Sequence, residues 1–327
     1  MPKSNPHRPF SPHPDMVERC PEVSGNKING LGEVNVRRPK VVFWALNPDD
    51  IAYGDVQKWF YTVQPDSAVM REERAKRQVV LDAVLPDVHS VITEQSGKDW
   101  TVLLERFVEA GECEMVGVTA LRDEWVFEGQ EVLFSNIIVL GFQHDYDEIK
   151  YAPDFRAGVE VVRQYGRAAA ASKKITGWLR EEGWDAEAAT GPMAGKILMI
   201  PPALECGFGE LGKHGSLINP EFGSSFRLSA VLTNAPFAPT QKRAFGVDDF
   251  CTKCRICEDA CPPMAINPDK KTVRGEERWY VDFDKCIPYF AENSGCAICI
   301  AECPWSRPGL GFNLAAKLAK RADRKPC

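Results

Sequence analysis

Cys251-Thr-Lys-Cys254-Arg-Ile-Cys257-Glu-Asp-Ala-Cys261-Pro262 and, further on, Cys286-x9-Cys296-Ala-Ile-Cys299-Ile-Ala-Glu-Cys303-Pro304 decide how this chain is built. Three thiolates two residues apart wrap a turn of chain around one face of a cubane iron–sulfur cluster, and the proline turns the chain away. In a C-x2-C-x2-C-x3-C-P run the fourth cysteine serves the other cluster of a pair. The second run keeps the last three positions, with its first cysteine ten residues upstream of the next. Cys251, Cys254, Cys257 and Cys303 therefore form one [4Fe–4S] set, and Cys286, Cys296, Cys299 and Cys261 the other. Structural zinc sites also use C-x2-C pairs, but the x3-Cys-Pro ending, present twice, has no reason to occur there.

The chain has 327 residues and 12 cysteines, eight of them between 251 and 303. Disulfide frameworks rarely use such short gaps, so the clustering reads as ligation in a reducing compartment. Cys20, Cys113, Cys206 and Cys327 lie outside the pattern and read as free thiols. A net charge of −6 argues against a nucleic-acid partner, which asks for a basic face. The longest apolar candidate for a membrane helix, Val132 to Phe142, is interrupted by Ser135 and Asn136. MPKSNPHRPF has no signal-peptide core. Arg37-Arg38 precedes an apolar run that stops at Asn47-Pro48-Asp49-Asp50, too short for a twin-arginine signal. The expectation is a cytoplasmic protein with no membrane partner.

Residues 1–38 show no periodicity and read as an N-terminal arm. From Lys40 strand-like and helix-like stretches intermix. Lys40–Leu46, Cys113–Leu121, Val132–Phe142, Lys196–Ile200 and Arg227–Leu232 are β-branched or aromatic runs suited to buried strands. Residues 68–84 and 155–182 read as helices; Val159, Val162, Ala169, Ile175 and Leu179 fall near one stripe of the second. The division expected is an arm at 1–38, a catalytic α+β domain at 39–245, a ferredoxin-like two-cluster domain at 246–310 and a tail at 311–327.

Two clusters alone make a small electron carrier, so the long segment before them implies a second redox centre. Gly207-Phe-Gly209-Glu-Leu-Gly212 matches G-x-G-x-x-G, but Pro201-Pro202 before it does not run as a strand into the turn, which disfavours a dinucleotide site. C-x-x-C-H for haem is absent. So is the D-x-H-x-x-G pattern that puts a histidine beneath cobalamin: Asp87-Val88-His89 is followed by Ser-Val-Ile.

The stretch Cys206-Gly-Phe-Gly-Glu-Leu-Gly-Lys-His-Gly-Ser-Leu-Ile-Asn-Pro-Glu-Phe-Gly-Ser-Ser-Phe-Arg227-Leu, followed by Val231-Leu-Thr-Asn, resembles the reductive dehalogenases. So does the order of the unequal cysteine runs with Trp279-Tyr-Val-Asp-Phe-Asp-Lys-Cys286 between them. The likeness runs from about Asp145 to Pro308 and looks closest to the soluble catabolic branch. It implies a nitroreductase-like α+β domain holding cobalamin base-off, with no protein ligand to cobalt. Organohalide, with a halogenated aromatic foremost, is the implied substrate. The family's fused reductase module is not seen before Cys327, which implies a separate electron donor such as ferredoxin or flavodoxin.

The resemblance also assigns residues. The family's tyrosine in a Tyr-Gly-Arg step matches Tyr165, its arginine in the Glu-Phe-Gly…Arg-Leu segment matches Arg227, and a third position best matches Lys196. Gly207, Gly209, Gly212 and His214 fall where backbone approaches the corrinoid. Reductive cleavage of a carbon–halogen bond takes two electrons and one proton; a phenol donates that proton more easily beside a cation, which favours the phenolate. The competing readings are the sister epoxyqueuosine reductase, which modifies tRNA, and a non-catalytic electron-transfer protein. The first asks for an Arg-Asp-Tyr-His step; here His144-Asp145-Tyr146-Asp147 stands nearest.

Overall fold

The computed structural model describes residue 5, residues 8–191 and residues 195–322; Cys327 lies outside them. Among the described residues the strands are β1 (Met115–Ala120), β2 (Asn136–Gln143), β3 (Ala186–Ala189), β4 (Glu210–Leu211), β5 (Leu217–Ile218), β6 (Phe226–Thr233), β7 (Lys271–Val273) and β8 (Glu276–Arg278). β1, β2, β6 and β3 form one antiparallel sheet in that order, and β4–β5 and β7–β8 are separate hairpins. With its helices this is a mixed α+β fold.

β2 is buried from Ile137 to Phe142 because both faces of the sheet are covered. Successive side chains alternate between two cores. Ile138, Leu140 and Phe142 pack with Trp100, Leu104, Ile175 and Leu179. Ile137 and Val139 pack on the other face with Phe208, Phe226 and Leu232. The helix Phe155–Glu181 covers the first face. It starts on Asp154, whose side chain accepts a hydrogen bond from Arg156 N at 2.8 Å.

The expected strands at Cys113–Leu121, Val132–Phe142 and Arg227–Leu232 correspond to β1, β2 and β6, and both expected helices form, as Ala68–Asp82 and Phe155–Glu181. Two expected strands do not form. Lys40–Leu46 has no regular structure: the Gln57 side chain donates to Ala45 O at 2.7 Å and accepts from Ala45 N at 2.9 Å, standing in for a ladder partner. Phe43 and Trp44 then pack on Phe290 rather than on a sheet. Lys196–Ile200 makes a single bridge, Ile197 to Val126, before Pro201-Pro202 starts the helix Ile200–Glu205. The helix Gly97–Glu109 is not among the expected elements, although Ser96 and Asp99 cap it and Trp100, Leu104 and Phe107 share its buried face. Burying those three side chains contributes roughly 1.5–3 kcal/mol each.

The segment read as an arm contains two short helices, Pro14–Glu18 and Gly25–Ile28, and lies along the cysteine-rich region. Arg8 donates to Cys261 O at 2.6 Å and Glu258 O at 3.0 Å. Asn26 accepts from the Tyr280 hydroxyl at 2.8 Å and Phe283 N at 2.7 Å, and donates to Asp282 at 2.8 Å. Asp284 accepts from Gly25 N and from the Tyr53 hydroxyl, both at 2.7 Å, and from Ser24. At the other end, the segment read as a tail forms the helix Leu310–Ala322, whose Leu314 and Leu318 pack on Val247 and Trp305.

Burial pushes the Asp284 carboxyl up, but the hydrogen bonds from Ser24, Tyr53, Gly25 and Asn26 outweigh it and hold the group below its ordinary value. A carboxylate held low contributes its stability above the unfolded pKa of about 3.9, and loses it as pH falls through the folded value. Asp284→Ala is expected to cost on the order of 2 kcal/mol, the scale of a few hydrogen bonds to a charged group. Chemical denaturation at pH 7 measures the loss, and the difference between wild type and variant should shrink below pH 4. Equal stability at pH 7 would mean that the N-terminal segment is held elsewhere.

Candidate cofactor cavity and active site

The two cysteine runs fold into short helices and turns that bring their thiols together in two sets. Cys251, Cys254, Cys257 and Cys303 lie close enough to perturb one another electrostatically, and so do Cys261, Cys286, Cys296 and Cys299. Cys303 thus falls among the thiols of the first run and Cys261 among those of the second. Burial pushes Cys251, Cys257, Cys286 and Cys296 up to about 12, so as ligands they would need bound iron to supply the charge that favours thiolate.

Next to the second set lies a cavity of about 830 Å³, lined by Cys261, Cys286, Cys296 and Cys299 at one end and by Gly209, His214 and Gly215 at another. The hairpin β4–β5 supplies this glycine-rich wall. Gly209 takes φ +152, and a Cβ there would lie 2.3 Å from Ile218 O; Gly215 takes φ +77. Gly207 and Gly212 do not line the cavity: their missing side chains admit Gln241 O and the Ile218 side chain instead. Gly207-Phe208-Gly209 runs into a hairpin, not a helix, so no phosphate-binding helix N-terminus follows.

His214 is buried, and burial pushes its pKa down to about 4, which keeps it neutral. Its Nδ1 accepts from Ser216 N at 3.2 Å, so the proton sits on Nε2. That Nε2 is buried with no partner among the described residues. It is an N–H donor on the cavity wall, unsuited in this tautomer to bind a metal.

A smaller cavity of about 280 Å³ adjoins the first and shares Phe127, Leu198 and Ile200 with it. Tyr165 and Arg227 both line it. Tyr165 comes from the middle of the Phe155–Glu181 helix and Arg227 from β6, where it pairs with Phe142. The Arg227 guanidinium lies 5.2 Å from the Tyr165 ring centre, and its Nε is buried without a partner among the described residues. Arg77, on the helix Ala68–Asp82, approaches the same ring at 6.0 Å and donates to Gly191 O at 2.7 Å. His144 sits behind Arg227; burial and then the arginine's charge hold its pKa well below the ordinary value, so it adds no second cation.

Lys196 does not line this cavity. Its Nζ is 2.9 Å from Glu187 on β3, at the molecular edge. The second cation beside Tyr165 is therefore Arg77, which lies outside the 145–308 segment and carries no sequence signal beyond its charge. Arg167 of the Tyr-Gly-Arg step is structural: it pairs with Glu114 at 2.7 Å and with Gln164 at 2.9 Å.

Residues 250–306 match the family model described as a 4Fe-4S dicluster domain. The tetrachloroethene reductive dehalogenase of Dehalobacter restrictus is 33% identical over 230 residues, 66% of this chain and 41% of that protein. By sequence the chain is similar to reductive dehalogenases. It spans less than half the length of such relatives. A solved reductive dehalogenase titled for B12-dependent dehalogenation superposes with a TM-score of 0.77 at 20% identity, covering 94% of this chain and 47% of that one. A catabolic reductive dehalogenase in complex with 3-bromo-4-hydroxybenzoic acid gives 0.74 at 18% identity, covering 94% and 49%. These two likenesses are of fold. Among the described residues of this reductive dehalogenase homologue, no helix is long and apolar enough to cross a membrane.

The turn before Arg227 is pressed on the second cysteine run. Gly223 takes φ +61, and a Cβ there would lie 2.3 Å from Ser306 Cα and N; Ser224 N donates to Ser306 Oγ at 3.1 Å. Gly223→Ala is expected to destabilise the chain by about 2–3 kcal/mol through left-handed strain and overpacking. Thermal melts and iron content of the reconstituted variant check this; wild-type values of both would refute the close packing.

Proposed function

We propose that this chain is the catalytic part of a corrinoid-dependent reductive dehalogenase that replaces halogen by hydrogen on a halogenated aromatic, with electrons relayed through two [4Fe–4S] clusters. The observation that carries it is the adjacency of two cavities: one opens onto the second thiol set, and the other, sharing its wall, holds Tyr165 between two guanidinium groups. In this reading residues 39–245 are a nitroreductase-like corrinoid-binding unit, residues 246–310 the ferredoxin-like unit and 311–327 the C-terminal tail. A separate donor such as ferredoxin or flavodoxin provides the electrons in the cytoplasm.

The larger cavity suits cobalamin in its volume, its glycine wall and the unpaired His214 Nε2–H. Bound there, the corrinoid supplies the two electrons that break the carbon–halogen bond. Because the His214 Nδ1 accepts from Ser216 N and its Nε2 carries the proton, a corrinoid bound base-off, without this histidine as a ligand, would fit these residues. The overall change is R–X plus two electrons and one proton giving R–H and halide. Tyr165 donates that proton from its hydroxyl, and Arg227 and Arg77 steady the phenolate that forms. Arg227, with an unpartnered buried Nε, can also bind a phenolate or carboxylate of the substrate. Lys196, held by Glu187, is left out of this set. The tRNA-modifying alternative needs its aspartate at the position of Asp145, which here caps a helix by accepting from Asp147 N at 2.8 Å.

Anaerobic reconstitution with iron, sulfide and cobalamin should give about eight iron and eight sulfide per chain, the content of two four-iron clusters. A stable preparation with two zinc ions alone would sink the cluster assignment. Nitrogen splitting from an axial histidine in the cobalt EPR spectrum would refute base-off binding.

Tyr165→Phe keeps the ring, so fold and cofactor loading should survive while dehalogenation falls by about 10²–10⁴-fold. Turnover of a halogenated phenol at matched iron and cobalamin content measures it. Near-full activity would reduce Tyr165 to a packing residue.

A further inference from the structure

Lys213 and His214 are neighbours at the tip of one hairpin, yet they serve opposite sides of it. His214 faces the large cavity; Lys213 turns to the first thiol set. Lys213 is 2% exposed, an unusual burial for an ammonium group. Its Nζ donates to Glu258 Oε1 at 2.6 Å and to the carbonyl of Cys254 at 3.0 Å, and sits 5.1 Å from the Trp279 ring centre. Glu258 follows Cys257 directly and is itself only 10% exposed on its side chain. Arg255, 3.5 Å from the other Glu258 oxygen, is largely in solvent and screened. Apolar residues of similar size commonly stabilise a core as well as a buried ion pair does, so the pair's stability alone is weak grounds for its presence here.

The two charges are not placed symmetrically. The ammonium sits on the Cys254 carbonyl within the first thiol set, and the carboxylate belongs to the residue that follows Cys257. Net charge and hydrogen bonds around the sulfurs are among the factors that set cluster potentials. A fixed positive charge favours the state with one more electron, and a nearby carboxylate opposes it.

We propose that the Lys213–Glu258 pair sets the reduction potential of the cluster held by Cys251, Cys254, Cys257 and Cys303, Lys213 raising it and Glu258 lowering it. This rests on the two-cluster reading above. The second thiol set opens onto the cofactor cavity, whereas this first set does not line it. The pair therefore adjusts the cluster that does not line the cavity, without touching the reacting groups. Lys213 and Glu258 are positioning residues in this sense.

The test is an EPR-monitored redox titration of the full chain reconstituted with iron and sulfide, for wild type, Lys213→Met and Glu258→Gln. Lys213→Met should shift one of the two cluster potentials downward and Glu258→Gln should shift the same one upward, each by at least threefold in the one-electron equilibrium constant. The other cluster should stay within the error of the titration. Shifts of the same sign in both variants, or none, would overturn the proposal, since a purely structural role predicts no sign reversal. If Lys213→Met fails to load iron, the nearly isosteric Glu258→Gln decides alone: an unchanged potential overturns the proposal and an upward shift supports it. Wild-type protein lacking two cluster signals would instead refute the two-cluster reading.

Discussion

Backbone meets backbone where Gly223 abuts Trp305 and Ser306, with no side chain between them. This contact joins the turn that leads into β6 to the segment just after Cys303. β6 carries Arg227 and stands in the middle of the sheet beside β2, so Arg227 and Cys303 are referred to one rigid junction. Ser224, hydrogen-bonded to Ser306, reinforces it. The proposed electron relay asks for fixed separations between redox centres, and a junction without flexible side chains suits that demand.

A second set of ties comes from the N-terminal segment. Its apolar content is low, so it does not hold its place by forming a core of its own. It holds by satisfying polar groups around the cysteine runs: carbonyls of residues 258 and 261 through Arg8, and the start of the Phe283–Glu292 helix through Asn26 and the contacts to Asp284. Among its described residues Met16 is the one buried apolar side chain, against Tyr53 and Val56. Such a segment has no periodicity, because single hydrogen bonds to scattered partners need none.

The groups proposed to react come from elements far apart in sequence. Tyr165 belongs to a helix, Arg227 to a strand and Arg77 to a different helix, and their meeting depends on the sheet and on the packing of Ala68–Asp82 against Phe155–Glu181. Lys196 illustrates the converse. A basic residue at an apparent strand start reads as a candidate, yet Pro201-Pro202 ends that strand after one bridge and Glu187 takes the charge.

What the sequence determined by itself was whatever depends on short range: the cysteine spacings, the long helix with its apolar stripe, and the central strands with their unbroken β-branched runs. Covalent spacing and local periodicity carry that information directly. Tertiary structure decided which polar partners meet. Gln57 replaces a strand partner for Ala45, Arg77 rather than Lys196 flanks Tyr165, and Lys213 is buried on Glu258 while its neighbour His214 faces the cavity. A charge or amide carries no direction in one dimension; its partner is chosen only when the chain has closed and every buried polar group must find one.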